Sequence, residues 1–495
     1  MNANSKLNFR KPPQFLAVLV LVTFAVVMLG RSPAVAATPK HYDQLTFPPL
    51  PEIQLPAYTR YQLKNGITVY LMEDHELPLV GGTALFRTGS RFEPEDKVGL
   101  ASLTGEVMRT GGTQTRPAEK LNQLLEQKAA SVETGIGDTS GSAGFGALAE
   151  DLDEVFGLFA EVIQQPIFAE EKLNLAGTQE RGSIARRNDD PNQIAGREFQ
   201  KLIYGPDSPY ARTTEYATLN NISRQDLIDF HQQYFQPQNM ILGIVGDFDS
   251  ETMKVLIADR FGDWQPDGSA QVPPLPTVSP AHQGGVFFIS QPQLNQSYIQ
   301  MGHLGGELDN PDYAELTVMN GVLNGFGGRL FNKVRSEKGL AYSVYGVWSA
   351  RFDYPGTFVA GGQTRSDATV DFIKSVQAEL KRIQEEPVQP QELAYAKDST
   401  LNSFIFNFES PSQTLSRLMR YEYYGYPEDF IFQYRREVEA TTIADIQRVA
   451  QQYLKPENLV TLVVGNDREI QPPLVSLTKP EKVISIDIAI PAEPT

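Results

Sequence analysis

The sequence predicts an α+β fold made of two homologous halves, each a mainly antiparallel sheet with helices packed on it. Three observations carry this expectation. The chain has 495 residues, more than the roughly 250–300 that a single hydrophobic core supports. The segment "SRQDLIDFHQQYFQPQNMILGIVG", ending at Gly246, returns as "TIADIQRVAQQYLKPENLVTLVVG", ending at Gly465, at a constant offset of 219 residues. In both copies a Tyr (Tyr234, Tyr453) precedes a Pro (Pro237, Pro456), an Asn (Asn239, Asn458) and an apolar run closing on Gly. Each copy reads as an amphipathic helix, a Pro-x-Asn break and a buried strand. Finally, "EDLDEVFGLFAEVIQQPIFAEEKLNLAG" is echoed by "DATVDFIKSVQAELKRIQEEPVQPQELAYAK", each a helix, a Pro-containing turn and a new helix opened by acidic residues. A unit this long is a duplicated domain rather than a solenoid repeat.

Taken in order, residues 1–37 read as a secretory signal. Lys6, Arg10 and Lys11 precede an apolar run from Phe15 to Leu29, and "SPAVAA" sets Ala34 and Ala36 at A-x-A spacing. The run of about 15 residues is short for a membrane span, so an uncleaved anchor is the lesser alternative. Residues 38–265 form the expected first domain, 266–283 a linker within the Pro- and Gly-rich "WQPDGSAQVPPLPTVSPAHQGG", 284–473 the second domain and 474–495 a tail. In the first domain "TRYQLKNGITVYLMED" places Asn65-Gly66 between alternating runs, a hairpin signal. "LVGGTALFRTGS" follows as a strand. "GLASLTGEVMRTGGT" sets Leu100, Leu103 and Val107 at helical spacing, a buried stripe. "SVETGIGDTSGSAGFGAL" reads as a strand pair poor in large side chains. In the second domain "GGVFFIS" and "SYIQMGHLGG" take the strand positions.

The chain contains no Cys, which excludes disulfides, a lipid-modified N-terminus and thiolate zinc sites. A cysteine-free exported protein suits a periplasm. Residues 1–37 carry four basic and no acidic side chains, so their removal takes the net charge from −17 to −21. That charge argues against nucleic acid and anionic membrane as partners and favours basic peptides.

The motifs in this order, "NGITVYLMEDHELP", "GLASLTGEVMRTGGT", "DDPNQIAGREFQKLIYG", "YFQPQNMILGIVGD" and "GGRLFNKVRSEKGLAYSV", resemble the pitrilysin/insulinase family of inverted zinc peptidases, which includes the mitochondrial processing peptidase. The resemblance spans roughly Leu50 to Asn466. It implies a helix carrying H-x-x-E-H, where two imidazoles on one face hold Zn²⁺ and the Glu polarises a water, with a distant Glu as third ligand. Laid on this sequence, the first His falls at Ser102, the Glu at Gly105 and the second His at Glu106, while "ERGSIARR" keeps Glu180 and Arg181 and puts Arg187 at the third ligand. No His lies between His75 and His231, so no shift of register restores the motif. A guanidinium at the ligand position repels a cation. No catalytic residue and no metal are therefore expected on this chain. Glu106 and Glu180 remain as a carboxylate pair, and His41, His75, His231, His282 and His303 are isolated from one another.

In the second half Arg335 and, seven residues on, Tyr342 match the Arg and Tyr through which peptide-degrading relatives reach the substrate. An Arg fork can hold a carbonyl or carboxylate, and a phenol can donate to a developing oxyanion. From spacing alone, an Arg that caps or salt-bridges within its helix and an ordinary half-buried Tyr are the favoured reading, and the resemblance reverses that preference. "NGFGG" contributes Gly325, Gly327 and Gly328, similar to the glycine-rich segment of non-catalytic family subunits; a plain turn is the other reading. The resemblance thus implies a non-catalytic, periplasmic subunit that binds peptide or unfolded polypeptide and completes the chamber of an H-x-x-E-H partner, which carries the Zn. The alternatives are an autonomous peptidase with a divergent metal site and a purely structural or peptide-binding protein.

Overall fold

Asn65-Gly66 lies in a hairpin. β1 (Thr59–Gln62) pairs antiparallel with β2 (Thr68–Glu73), and Gly66 takes the left-handed φ of 98° that the turn requires. The computed structural model describes residues 55–268, 271–478 and 482–493. The signal at residues 1–37 and His41 lie outside the described residues. Leu55 to Thr495 form one compact unit.

The first sheet continues with β3 (Leu79–Phe86), β4 (Ser131–Ile136), β5 (Gly141–Leu148) and β6 (Met240–Gly246), in spatial order β1-β2-β6-β3-β5-β4. The second contains β7 (Gly285–Ser290), β8 (Gln296–Leu304), β9 (Ala341–Ser349), β10 (Thr357–Arg365), β11 (Val460–Gly465) and β12 (Val483–Ser485), ordered β12-β7-β11-β8-β10-β9. The repeated "apolar run closing on Gly" is therefore the third strand of each sheet, parallel to its neighbour β2 or β7 and antiparallel to β3 or β8. The sheets differ at one edge, where the second recruits β12 from the C-terminal segment, parallel to β7, in the place that the hairpin strand β1 fills in the first.

The helices of the first half are α1 (Leu100–Thr110), α2 (Ala118–Gln127), α3 (Leu152–Gln164), α4 (Glu170–Arg186), α5 (Pro191–Tyr204), α6 (Tyr216–Asn220), α7 (Arg224–Tyr234) and α8 (Ser250–Phe261). Those of the second are α9 (Tyr313–Leu323), a π-helix (Phe331–Glu337), α10 (Thr369–Glu385), α11 (Pro390–Phe404), α12 (Pro411–Tyr424), α13 (Phe430–Ala440) and α14 (Ile443–Tyr453). Among the described residues no helix is long and apolar enough to cross a membrane.

Two of these helices change sides. α5 sets Ile194, Phe199 and Ile203 against Phe287, Ile289, Leu462 and Val464 of the second sheet, while α12 sets Leu415, Leu418 and Met419 against Tyr70, Met72 and Ile241 of the first. Each helix starts the same way, with an N-cap Asp190 or Ser410 accepting backbone N–H bonds before a Pro at the first turn. Gly243 on β6 makes the contact possible, since a Cβ there would sit 2.1 Å from Met419 Sδ. Around this exchange the halves are tied by the buried Arg91, Nη1 to Oδ2 of the half-buried Asp353 at 2.8 Å, by Arg60 to Glu422, and by Tyr423 Oη donating to the Thr139 carbonyl.

Candidate functional site

The stripe of α1 is buried as its spacing predicts, with Leu100, Leu103, Val107 and Met108 in the first core. Glu93, on the preceding turn, caps the helix: its Oε1 accepts from the backbone N–H of Gly99 at 3.2 Å and of Ala101 at 2.6 Å. Burial pushes the Glu93 carboxyl up to about 7, partly countered by those two N–H groups and by Arg212. Ser102 and Glu106 point out of the core and are exposed. Gly105, between them, packs on β4 so closely that a Cβ would lie 2.6 Å from the Ile136 nitrogen and 2.9 Å from Gly135. Thr134 Oγ1 donates to the Gly105 carbonyl at 2.5 Å across the same contact.

α4 supplies the third motif position. Arg187 follows its last turn and is held by Glu215, Nη1 to Oε1 at 2.9 Å, and by the Thr214 carbonyl at 3.2 Å. Burial, then the Glu106 charge, raises the Glu180 carboxyl above the usual range, which puts the two carboxylates within electrostatic reach. Zinc does not fit these residues. Ser102 and Gly105 offer no imidazole or carboxylate, the Gly105 position is closed by strand backbone, and Arg187 brings a cation already paired with an acid. Among the described residues no group of three or more His, Asp or Glu side chains is arranged to hold a metal.

A cleft of about 1000 Å³ opens beside these positions, lined by Ser102, Glu180, Arg187 and neighbours between Ser90 and Thr214. Arg186, Arg197 and Arg212 also line it. Sequence reading missed this cluster, although three of its arginines, Arg186, Arg187 and Arg197, lie within "RGSIARRNDDPNQIAGR" in an otherwise acidic chain.

Arg335 and Tyr342 do meet. The Arg335 guanidinium carbon lies 4.7 Å from the Phe331 ring centre and 4.9 Å from that of Tyr342, a cation held between two aromatic faces. It forms no hydrogen bond or ion pair with another described residue, so the salt-bridge reading of the sequence does not hold. Tyr342, on the edge strand β9, is 83% exposed rather than half-buried. The π-helix sets Phe331 and Arg335 four residues apart on one face, and Phe326, 79% exposed, packs edge-on to Phe331 at 5.1 Å. Neither Arg335 nor Tyr342 lines the 1000 Å³ cleft. The predicted site residues thus fall into two groups, one on each half.

Gly325, Gly327 and Gly328 form a turn, not a helix. Gly325 has φ 76°, and a Cβ at Gly327 would meet the Tyr395 ring at 2.8 Å, so close approach to α11 accounts for that glycine. Arg329, just beyond, is buried and forms a bidentate pair with Glu392 at 2.7 and 2.9 Å.

Other proteins share this arrangement. Residues 76–198 match the insulinase (peptidase family M16) model, and residues 221–400 match the model of the peptidase M16 inactive domain. Among relatives, the "non-peptidase homolog YmxG" of Helicobacter pylori is 26% identical over 427 residues, covering 84% of this chain and 96% of that protein. The "uncharacterized zinc protease YmxG" of Bacillus subtilis is 22% identical over 408 residues, covering 82% and 97%. In fold, the chain is similar to a peptidase M16 inactive domain from Pseudomonas fluorescens, with a TM-score of 0.75 at 23% identity over 84% of this chain and 100% of that one. A protease structure from Helicobacter pylori gives a TM-score of 0.70 at 20% identity over 83% and 100%. With both halves matched in order and two six-stranded sheets of the same build, the chain belongs to the insulinase (M16) peptidase family.

Proposed function

We propose that this chain is the non-catalytic subunit of an exported, periplasmic two-chain zinc peptidase. It binds peptide and closes the chamber of a partner that keeps H-x-x-E-H and carries the Zn. The observation that supports this most is Arg335, a half-buried guanidinium without an acidic partner among the described residues, held between Phe331 and the exposed Tyr342. Stacking on two rings fixes the plane of the fork while leaving all its N–H groups free, an orientation suited to a carbonyl or carboxylate brought by another chain. A fork without an acidic partner contributes little to its own fold. Beside it the Tyr342 phenol can donate to charge that develops on a carbonyl oxygen. The division of labour is physically sensible, because one chain can activate the water while the other orients the substrate. The name of the Helicobacter pylori relative agrees with a role without peptidase activity of its own.

Hydrolysis of a fluorogenic peptide mixture tests the reading, with the purified chain assayed alone and after addition of an H-x-x-E-H family member from the same organism. No turnover alone and turnover on mixing is the expected result, falling roughly 100-fold with Arg335→Ala, the size of effect typical of losing one oriented donor. Metal-dependent turnover by the lone chain would overturn it in favour of an autonomous peptidase. Full activity of the mixture with Arg335→Ala and Tyr342→Phe together would leave only a structural role.

A further inference from the structure

The cleft of the first half has exchanged the sign of the charge it can receive, and the geometry points to it as a binding site for a carboxylate-bearing polypeptide segment, an acidic side chain or a free C-terminus. Four guanidinium groups, from Arg186, Arg187, Arg197 and Arg212, line about 1000 Å³ of open volume in a chain whose net charge is −17. Three of them are positioned by the fold: Arg187 by Glu215, Arg197 by Glu198, Asn188 and the Arg187 carbonyl, and Arg212 by the carbonyls of Ser90 at 3.0 Å and Glu93 at 2.7 Å. Held in this way they are preorganised donors rather than mobile surface cations, the condition under which Arg recognises a carboxylate best.

A second, independent observation concerns Gly182. It lies inside the 17-residue α4 and lines the cleft, yet a Cβ added there would meet nothing within 4 Å. Glycine in a helix interior is disfavoured relative to alanine, and packing gives no reason for it here. What its absent side chain provides is access to the cleft at the level of Arg186 and Arg187.

The occupant's class follows from the size and from the acids that remain. The volume is at the upper end for ligand sites and exceeds a small inorganic anion, while a few residues of extended chain fit it. Glu93, Asp138 and Glu180 also line the cleft. Three carboxyl groups set a limit on how much negative charge the arginines can take, which disfavours a dianionic phosphate more than single carboxylates. Burial pushes the Glu93 carboxyl up to about 7, so it carries less negative charge near neutrality than an exposed acid does.

This inference stands apart from the subunit reading, because the cleft does not include Arg335 or Tyr342 and the test uses the chain alone. Fluorescence anisotropy would follow a labelled hexapeptide ending in three aspartates, its twin with asparagines and an amidated C-terminus, and competition by inorganic phosphate. The acidic peptide should bind at least roughly tenfold tighter than its twin, with the difference shrinking in 0.5 M salt. Gly182→Leu, which fills open space on a helix and keeps or raises the melting temperature, should abolish binding. Ser102→Glu, an exposed position on the cleft wall, should weaken it by roughly tenfold. Equal binding of the twins, unchanged binding with both variants, or phosphate displacing the peptide at lower concentration than the peptide itself binds would each overturn the assignment.

Discussion

Replacing Gly105 by Ala separates two ways of losing a metal site: exchange of side chains alone, or closure of the backbone behind them. The Cβ would lie 2.6 Å from the Ile136 nitrogen and 2.9 Å from two Gly135 atoms, all strand backbone that cannot swing aside. Overpacking of this kind costs about 1–3 kcal/mol. Against it stands the gain of about 1 kcal/mol for Ala over Gly in a helix interior. The net is expected between neutral and about 2 kcal/mol destabilising. Gly182→Ala supplies the control, because it collects the same helical gain with nothing within 4 Å to oppose it and should stabilise by about 0.5–1 kcal/mol. Urea unfolding followed by circular dichroism reads both, and the Gly105 variant should fall below the Gly182 variant by about 1–3 kcal/mol. Two variants with the same sign, within about 0.5 kcal/mol of each other, would refute the close α1–β4 packing. The same contact has a functional corollary: a chain restored to H-x-x-E-H by Ser102→His, Gly105→Glu and Glu106→His should not regain stoichiometric zinc, since Arg187 still stands at the third-ligand position and the Glu cannot enter without moving the strand.

Two further outcomes follow from buried polar groups. His231 Nε2–H donates to the Ile163 carbonyl at 2.7 Å, and burial pushes its imidazole down to about 4. Because the folded value lies below the ~6.5 of an unfolded His, the unfolded chain binds the proton first, and this contribution is present above pH 6.5 and lost on acidification toward pH 4. The stability difference between the native chain and His231→Gln should therefore shrink by about 2–3 kcal/mol between pH 7.5 and 4.5, and an unchanged difference in urea midpoints would count against it. Between the halves, Arg91→Met leaves the half-buried Asp353 without its partner and should cost up to about 3 kcal/mol, the low end for breaking a buried pair. Adding Asp353→Asn should recover part of that loss in the same unfolding assay, whereas simple additivity would show that the pair is not coupled.

The elements were legible where periodicity is set by burial. The stripe of α1, the Asn65-Gly66 hairpin and both copies of the helix-Pro-x-Asn-strand unit all follow from which residues must leave water. What escaped sequence reading depends on contacts between segments far apart in the chain. Asp190-Pro191 to Gly205 and Ser410-Pro411 to Gly425 show the same cap, proline and terminal glycine, with φ values of 95° and 77° at the two glycines. That echo marks the pair of exchanged helices, but it says nothing of which sheet each one covers. Likewise the arginines of the cleft are separated by up to 26 positions, from Arg186 to Arg212, and only the fold brings them together. Arg335 and Tyr342 lay within reach of sequence because only a short turn separates the π-helix from β9; the exposure of Tyr342 did not.

The loss of chemistry from α1 left its packing intact because the helix divides the two tasks among different positions. Leu100, Leu103, Val107 and Met108 serve the core, whereas Ser102 and Glu106 are exposed and any polar residue there is tolerated. Gly105 is the exception, a buried position on the side that meets β4. A Glu there requires a gap between helix and strand large enough for a carboxylate and a water. With a glycine the gap closes, Thr134 bonds across it, and the contact becomes part of the core. Arg187 completes the change, since its pairing with Glu215 makes a guanidinium the structural group at a place where a metal ligand would stand. The helix now holds a place in the fold, and the charged side chains of its cleft are arginines at the end of α4, on α5 and in the loop that follows it.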